Sequence, residues 1–234
     1  MKDVFVIFAH KNAKAMIQKD PLRICGREIR AALLDCDGVV LDTEGQYSRF
    51  WGHVGRERFP NVPDFARRIK GQTLVQIKAD YFPAPEDVAW IDRRLSAFED
   101  QMDYPYVEGA RQFLEALRRR GIPLALVTSS DAAKMRHVRA SHPEFDARFD
   151  CIVTSEDVPR SKPAPDCFLL AARRLGVAPE ACLAIEDSPN GLRAARASGA
   201  LVVALTTTCP ASEVAPLADL VVPSLSSPSL CPGL

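Results

Sequence analysis

The sequence predicts an α/β fold: a doubly wound parallel sheet with an inserted, all-helical cap domain. Short apolar runs alternate with helical patterns after Gly109, which is typical of parallel strands joined by crossover helices. A purely helical stretch, residues 46–105, separates the first apolar run from the next. At 234 residues the chain is long enough to bury a substantial core. We therefore expect a core of residues 31–45 and 106–223 and a cap of 46–105.

The sheet is predicted to begin at Ala31. In residues 1–30 the apolar stretch Val4–Ala9 is too short for a secretory signal. We expect an extension of uncertain order here, either poorly ordered or adding an edge strand and a helix. Ala31–Leu34 (AALL) has no polar interruption, which indicates a strand covered on both faces.

Two carboxylates follow this strand directly. Asp35 and Asp37 lie at its predicted carboxyl end. Unpaired carboxylates beside an apolar core carry a desolvation penalty or a raised pKa, and a bound divalent cation removes that penalty. Residues i and i+2 of an extended strand share a face, so we expect both side chains to reach one site. The alternative is that the two acids only cap a turn.

The cap is predicted from apolar residues at helical spacing and from the breaks between them. The expected helices span residues 43–58, a short segment after Asp64 with Phe65 and Ile69, a helix from Thr73 to Tyr81 that Thr73 caps, and 87–102. We expect Pro83 and Pro85 to end the third of these helices.

The remaining core is predicted to alternate helix and strand. The expected helices are 110–120, 131–140, 165–175 and 189–197, and the expected strands are 124–127, 151–153, 182–185, 201–205 and 220–222. Residues 224–234 are rich in serine and proline, and we expect a flexible tail there.

Polar residues lie at or beside the predicted strand ends. They are Asp35 and Asp37, then Thr128, Ser129 and Ser130, then Lys162 in SKPAPD, and finally Glu186 and Asp187. In doubly wound sheets the ligand site lies outside the carboxyl ends of the strands, so we expect these groups to converge. Carboxylates suit a hard cation such as Mg²⁺, and hydroxyls with a lysine suit a phosphoryl group.

Each group also has a simpler interpretation when taken alone. Thr128 is then a turn or helix-capping residue, and Ser129 fills a turn. Lys162 is then a solvated surface charge, and Glu186 accepts hydrogen bonds from backbone N–H groups.

Taken together, LLDCDGVVLDTE, VTSS, SKPAPD and IEDSPNG, in this order and with a helical insertion after the first, resemble the four motifs of the haloacid dehalogenase superfamily. The resemblance covers about residues 31–223 and is nearest to the β-phosphoglucomutase-like sugar-phosphate phosphatases. It implies a Rossmann-like catalytic core and a phosphotransferase that needs Mg²⁺.

The resemblance also implies a role for each residue. Asp35 is the nucleophile that forms an aspartyl-phosphate, and Asp37 is the general acid and base. Thr128, Ser129 and Lys162 bind the phosphoryl group. The implied metal ligands are the Asp35 carboxylate, the Asp37 backbone carbonyl, Glu186 and Asp187.

Substrate choice is expected to depend on the cap, with Gly71, Gln72 and Thr73 as candidate contacts. In the mutases of this family a cap arginine shortly after a Lys-Gly break binds a second phosphate. Here Leu74 follows Thr73, so the pattern lacks that arginine; Arg93 or Arg94 is a candidate substitute, although such a pair is more often a solvated helix face. We therefore expect hydrolysis of a small phosphorylated metabolite such as a sugar phosphate.

Other functions stay open at this point: a sugar-phosphate mutase, a catalytically silent binding module and a phospho-acceptor signalling domain. The formal net charge is zero, which gives no reason to expect nucleic acid or a membrane as partner. The seven cysteines contain no C-x-x-C pair, so we expect reduced thiols and a cytoplasmic protein. We expect a monomer or a weak homodimer.

Overall fold

A computed structural model describes residues 21–230. The expectations for residues 1–20 and for residues 231–234 of the tail lie outside the described residues. The strands are β1 (Arg23–Ile24), β2 (Arg27–Glu28), β3 (Ala31–Leu34), β4 (Leu124–Val127), β5 (Cys151–Val153), β6 (Cys182–Glu186), β7 (Leu201–Leu205) and β8 (Leu220–Val222). The helices are α1 (Glu44–Arg58), α2 (Phe65–Arg68), α3 (Leu74–Tyr81), α4 (Pro85–Glu99), α5 (Ala110–Arg119), α6 (Ala132–Ser141), α7 (Asp166–Leu175), α8 (Pro189–Ser198) and α9 (Ala211–Val214).

Strands β3 to β8 form a sheet in the order β5-β4-β3-β6-β7-β8, and every neighbouring pair in it is parallel. The first strand of this sheet, β3, lies in its interior between β4 and β6. The chain therefore runs outward from β3 in one direction first and then in the other, which makes a topological switch point beside β3. The predicted doubly wound parallel sheet is confirmed.

Both faces of the sheet are covered, because alternate strand residues point to opposite sides. Ala32 and Leu34 belong to one apolar cluster, together with Phe113, Leu114 and Leu117 of α5 and with Met135 and Val138 of α6. Ala31 and Leu33 belong to the other, which contains residues of α7 and α8. The apolar run at β3 is thus buried on both sides, as the sequence predicts.

Helices α1 to α4 pack around an apolar cluster of their own. Its buried members are Phe50, Trp51, Val54, Phe65, Ile69, Ile77, Phe82, Ile91 and Leu95. Helix α4 begins at Pro85, two residues before the expected start. Helix α3 ends at Tyr81, before Pro83 and Pro85, as expected. Pro85 in addition begins α4, because proline fits the first turn of a helix, where its missing N–H has no partner to lose.

Both ends of the described chain pack onto the core. The β1–β2 hairpin is antiparallel and lies outside the main sheet, with Ile24 buried. Leu225 and Leu230 are fully buried, which differs from the flexible tail expected there. The two leucines are separated by serine and proline, so the sequence shows no apolar run. Among residues 21–230, no helix combines the length and the apolar character that crossing a bilayer requires.

Thr73 connects the cap to the core. Its hydroxyl accepts a hydrogen bond from the Gln76 backbone N–H (3.3 Å), and the Gln76 side chain accepts one from the Thr73 N–H (2.9 Å). This reciprocal arrangement caps α3, as predicted. The Thr73 hydroxyl also lies 3.3 Å from the Ser161 hydroxyl, in the loop that carries Lys162.

We expect Thr73→Ala to lower the free energy of unfolding by about 1 kcal/mol, because the helix loses its N-cap acceptor. Denaturant unfolding of the purified protein measures the change. Thr73→Ser is the matched control, since it keeps the hydroxyl and should keep most of the stability. Equal losses in the two variants would show that the methyl group, and not the cap, is responsible.

Candidate active site

The carboxyl ends of three adjacent strands form the centre of the site. Leu34 of β3 pairs with Leu126 of β4 and with Ile185 of β6. Asp35 and Glu186 therefore come to lie side by side, each one residue beyond this paired row. The expected convergence of polar residues at the strand ends is observed for these two acids.

Lys162 reaches this centre from the loop between β5 and α7. Its ammonium donates hydrogen bonds to Asp35 Oδ1 (2.6 Å), to Glu186 Oε1 (2.7 Å) and to the Val127 carbonyl (3.0 Å). All three N–H donors of the ammonium thus have acceptors, and the residue is only 2% exposed. The solvated surface charge that the pattern allows for Lys162 alone is not what the structure shows.

Glu186 is held on both of its carboxylate oxygens. Oε1 accepts from Lys162, and Oε2 accepts from the backbone N–H groups of Asp187 and Ser188 (2.9 Å each) and from the Ser188 hydroxyl (3.0 Å). Gly191 leaves room for this carboxylate, since a Cβ there would collide with it. Glu186 therefore anchors Lys162, and the simpler interpretation of Glu186 as a backbone acceptor holds beside the metal hypothesis.

Asp187 has the property that a cation ligand needs. Its Oδ2 atom is buried and has no hydrogen-bond partner within the described part of the chain. One ligand atom from each of Asp35, Glu186 and Asp187 lies within 4.8 Å of the others. Gly38 adopts φ +77°, and a Cβ at this position would collide with the Asp187 carboxylate. The donor set is oxygen only, anionic and partly unpartnered, which fits Mg²⁺.

The cluster of Asp35, Glu186 and Asp187 contains more carboxylates than the single ammonium of Lys162 can neutralise. Burial is the main cause that raises the pKa of Asp35 to about 7; Lys162 opposes the rise, and Glu186 adds to it. Burial, followed by repulsion from Glu186, raises the pKa of Asp187 well above its usual value. Burial would lower the pKa of Lys162, but Asp35 and Glu186 outweigh it and raise that pKa. A second cation beside the cluster would favour the ionised forms of Asp35 and Asp187 at neutral pH.

Asp37 turns away from the acidic cluster. Its Oδ1 accepts hydrogen bonds from the Thr43 hydroxyl and the Lys134 ammonium, and its Oδ2 accepts one from the Ser130 hydroxyl (3.1 Å). Burial would raise the pKa of Asp37, but these donors, Lys134 above all, hold it below its usual value. Asp35 and Asp37 nevertheless line the same cavity, although β3 ends at Leu34 and Asp37 lies in the following turn.

The three hydroxyls after β4 differ in exposure to the site. Thr128 is 2% exposed, and its hydroxyl donates to Ser130 Oγ (2.9 Å) and accepts from the Ser130 N–H (3.0 Å). Ser129 and Ser130 line the cavity above the strand ends. Thr128 thus orders the turn, and it stays a candidate phosphate ligand together with Ser129.

A cavity of about 390 Å³ lies between this centre and the cap. Asp35, Asp37, Lys162, Glu186 and Asp187 lie on the core side, and Tyr47, Trp51, Ile69, Leu74, Ile77 and Leu95 contribute apolar surface from the cap. Of the expected cap contacts, Gly71 and Gln72 line the cavity, whereas the Thr73 hydroxyl caps α3 instead.

Sequence reasoning missed several charged groups of this cavity, and Lys134 and Glu99 are two of them. Lys134 is 5% exposed although it lies in a helix whose neighbouring residues include exposed arginines. Glu99 on α4 is 8% exposed and accepts a hydrogen bond from the Tyr47 hydroxyl (2.8 Å). One feature of the sequence indicates that Lys134 is buried: it lies one helical turn before the apolar Val138, so both residues are on the inner face of α6.

Family models, characterised proteins and solved structures all include proteins that are similar to this chain. A profile for haloacid dehalogenase-like hydrolases matches residues 29–199. The chain is 31% identical to the bifunctional riboflavin kinase/FMN phosphatase of Arabidopsis thaliana over 82% of this chain and 52% of that protein. It therefore spans about half of that relative. It is 31% identical to hexitol phosphatase A of Escherichia coli over 74% of this chain and 81% of the relative.

Among solved structures, the fold is similar to that of CbbY from Rhodobacter sphaeroides, which was determined in complex with phosphate. The TM-score is 0.67 at 26% identity, over 86% of this chain and 96% of that one.

We expect Lys162→Met to destabilise the protein by roughly 3–5 kcal/mol, the usual cost of leaving a buried carboxylate without its partner. Denaturant unfolding near neutral pH measures the loss. The loss should shrink as the pH falls below about 7, because protonation then neutralises Asp35, whose pKa is raised to about 7. Arg160→Met is the matched control: Arg160 lies in the same loop but is exposed and pairs with Asp166 (2.7 Å). That change should cost less than about 1 kcal/mol, and equal losses in both variants would contradict the buried-charge argument.

We expect Mg²⁺ to raise the thermal unfolding midpoint, because it binds only the folded arrangement of carboxylates. The rise should be larger at about pH 8 than at about pH 6, since protons compete with the cation for carboxyls whose pKa values are raised. Thermal unfolding with Mg²⁺ or with a chelator measures it. Asp187→Asn should abolish most of the rise while leaving the chelator-treated protein at least as stable as wild type. A Mg²⁺ effect that survives in Asp187→Asn would place the cation elsewhere.

Proposed function

The chain belongs to the haloacid dehalogenase-like hydrolases, and we propose that within this family it is a Mg²⁺-dependent phosphatase acting on a small phosphorylated metabolite. The observation that carries the proposal is the Lys162 ammonium, which hydrogen-bonds Asp35 and Glu186 beside the partnerless Oδ2 of Asp187. A nucleophile, a fixed cation and an unsatisfied anionic ligand thus meet at the base of a cavity. The phosphatase names of the relatives support the same reaction.

Catalysis is proposed to proceed in two displacements. An Asp35 oxygen attacks phosphorus, the bond to the leaving oxygen breaks, and Asp37 supplies the proton that this oxygen takes up. Water then attacks the aspartyl-phosphate, Asp37 receives a proton from it, and the bond between phosphorus and Asp35 breaks to release phosphate. Asp35 returns as a carboxylate, so atoms and charges balance over the cycle.

Charge neutralisation is what makes the first step possible, because a phosphate dianion repels an anionic nucleophile. Lys162 contributes one fixed positive charge and orients Asp35. Asp35, Asp187 and the backbone carbonyl of Asp37 are the proposed Mg²⁺ ligands, with Glu186 as a further candidate. Bound Mg²⁺ would add positive charge at the transferring group.

The substrate is proposed to be a phosphorylated sugar or polyol. The cavity of about 390 Å³ is large enough for such a molecule, and the name of hexitol phosphatase A supports this class. Leu74 lines the cavity close to the position where the resemblance to mutases implies an arginine for a second phosphate. This apolar side chain favours hydrolysis over transfer between two phosphorylated positions.

We expect the purified protein to release inorganic phosphate from at least one member of a panel of sugar and polyol phosphates, in the presence of Mg²⁺. Asp35→Asn should lower the rate by roughly a thousandfold or more, because the nucleophile is lost. A colorimetric phosphate assay measures both rates. Phosphate release at the same rate in Asp35→Asn would mean that the activity does not arise at this site.

A second assay distinguishes hydrolysis from transfer of the phosphoryl group between two positions of a sugar. The protein is given β-glucose 1-phosphate with a trace of the corresponding bisphosphate, and products are followed by chromatography. Formation of glucose 6-phosphate without free phosphate would replace the phosphatase proposal with a mutase.

A further inference from the structure

Lys134 is a buried lysine that none of the four motifs contains. It lies on α6, which begins after Asp131, whose side chain accepts a hydrogen bond from the Lys134 N–H (3.0 Å). The ammonium forms an ion pair with Asp37 Oδ1, and the residue is 5% exposed. Removing a lysine ammonium from water is costly, so a lysine at this depth requires a specific partner. Asp37 is that partner.

The ion pair is one of three contacts that fix the Asp37 carboxylate. The Thr43 hydroxyl donates to the same oxygen as Lys134, and the Ser130 hydroxyl donates to the other (3.1 Å). The donors come from three separate parts of the chain: the residue before α1, the turn after β4, and α6. Among these donors, Lys134 is the charged one, and charge-assisted hydrogen bonds are about twice as strong as neutral ones.

Lys134 is itself held in place from the cap. Its Nζ lies 4.4 Å from the centroid of the Tyr47 ring on α1, a cation–π contact. The Tyr47 hydroxyl donates to Glu99 Oε1 on α4 (2.8 Å). The ammonium is therefore confined between Asp37 below it and an anchored aromatic ring beside it, and it has little freedom to swing into the cavity.

We propose that Lys134 is a positioning residue: it holds the Asp37 carboxylate where that group can receive a proton from the water that hydrolyses the phosphoenzyme. The inference rests on the proposed function and adds a residue to it. In this step the water oxygen bonds to phosphorus, its proton passes to Asp37, and the bond between phosphorus and Asp35 breaks. Without Lys134, the neutral donors Thr43 and Ser130 are left to orient Asp37, and this second step slows.

The experiment uses p-nitrophenyl phosphate, whose leaving group departs without help from a general acid. The first step then needs no proton from Asp37, and the second step is tested alone. In rapid mixing, Lys134→Met should release a burst of p-nitrophenol close to the enzyme concentration and then turn over slowly. We expect kcat to fall by roughly tenfold or more. A positioned general base contributes about 10²–10⁴-fold to the rate, and this variant should lose a part of that contribution because Asp37 is still present. KM should fall in proportion, so that kcat/KM stays nearly unchanged.

Three further variants make the outcome specific. Lys134→Arg keeps the charge and should recover a large part of kcat. Arg139→Met removes an exposed, ion-paired cation from the same helix and should leave the kinetics at the wild-type level. Added to Asp37→Asn, Lys134→Met should cause no further fall in kcat, because the group that it positions is already lost.

The proposal is overturned if Lys134→Met lowers kcat equally in the wild-type and Asp37→Asn backgrounds, or if it raises KM at unchanged kcat, which would indicate a direct substrate contact. Should the single variant fail to fold, the comparison of Asp37→Asn with the double variant still decides, because the double variant leaves neither charge unpaired. Wild-type protein that hydrolyses p-nitrophenyl phosphate no faster than Asp35→Asn would instead overturn the proposed function itself.

Discussion

The structure of the site depends on one buried interaction, the Lys162 ammonium between the carboxylates of Asp35 and Glu186. Its three hydrogen bonds, at 2.6, 2.7 and 3.0 Å, use every proton of the ammonium. The geometry therefore fixes the Asp35 side chain in one orientation at the end of β3. The cluster also has an excess of negative charge, because Asp187 adds another buried carboxylate with no cation of its own within residues 21–230. That excess of negative charge is the physical reason to expect a divalent cation.

The fold supports this interaction through backbone groups as much as through side chains. Glu186 holds Lys162 because its second oxygen is bound by the N–H groups of Asp187 and Ser188 and by the Ser188 hydroxyl, at the start of α8. A helix N-terminus is a favourable place for a carboxylate, since its N–H groups have no acceptor within the helix. Gly38 and Gly191 allow the close approach of Asp187 and Glu186, and a Cβ at either position would occupy the same space.

Much of this arrangement was predictable because it is encoded locally. Continuous apolar runs identified β3, β4, β5, β7 and β8 at their observed bounds, and β6 extends one residue further, to Glu186. Thr73 was expected to cap α3, and the structure adds that Gln76, three residues later, completes a capping box with it. The motif residues at the strand ends were identified by resemblance as well as by position, and the fold then brings Asp35, Lys162 and Glu186 into contact.

What the sequence did not reveal depends on contacts between distant residues. Lys134 lies between Ala133 and Met135 on a short helix that also carries Arg136 and Arg139, and a buried lysine there has the same local pattern as a solvated one. Its partner, Asp37, is 97 residues away. Leu225 and Leu230 are buried singly, without the periodic pattern that predicts an element. Both acids line one cavity, but strand alternation alone does not account for the position of Asp37, because alternation applies only while the backbone stays extended and β3 ends at Leu34.

Asp35 and Asp37 are chemically identical residues in different surroundings, which is why the proposed mechanism can give them different roles. Each aspartate is paired with its own lysine, Lys162 for Asp35 and Lys134 for Asp37. Burial dominates at Asp35 and raises its pKa to about 7, whereas the donors around Asp37 hold its pKa below the usual value. The two carboxylates line one cavity, and the charge of Asp37 adds to the rise at Asp35, but their different partners give them different proton affinities. In the proposed mechanism, the contacts of Asp37 with α6 would separate the group that bonds to phosphorus from the group that exchanges protons with the leaving oxygen and water.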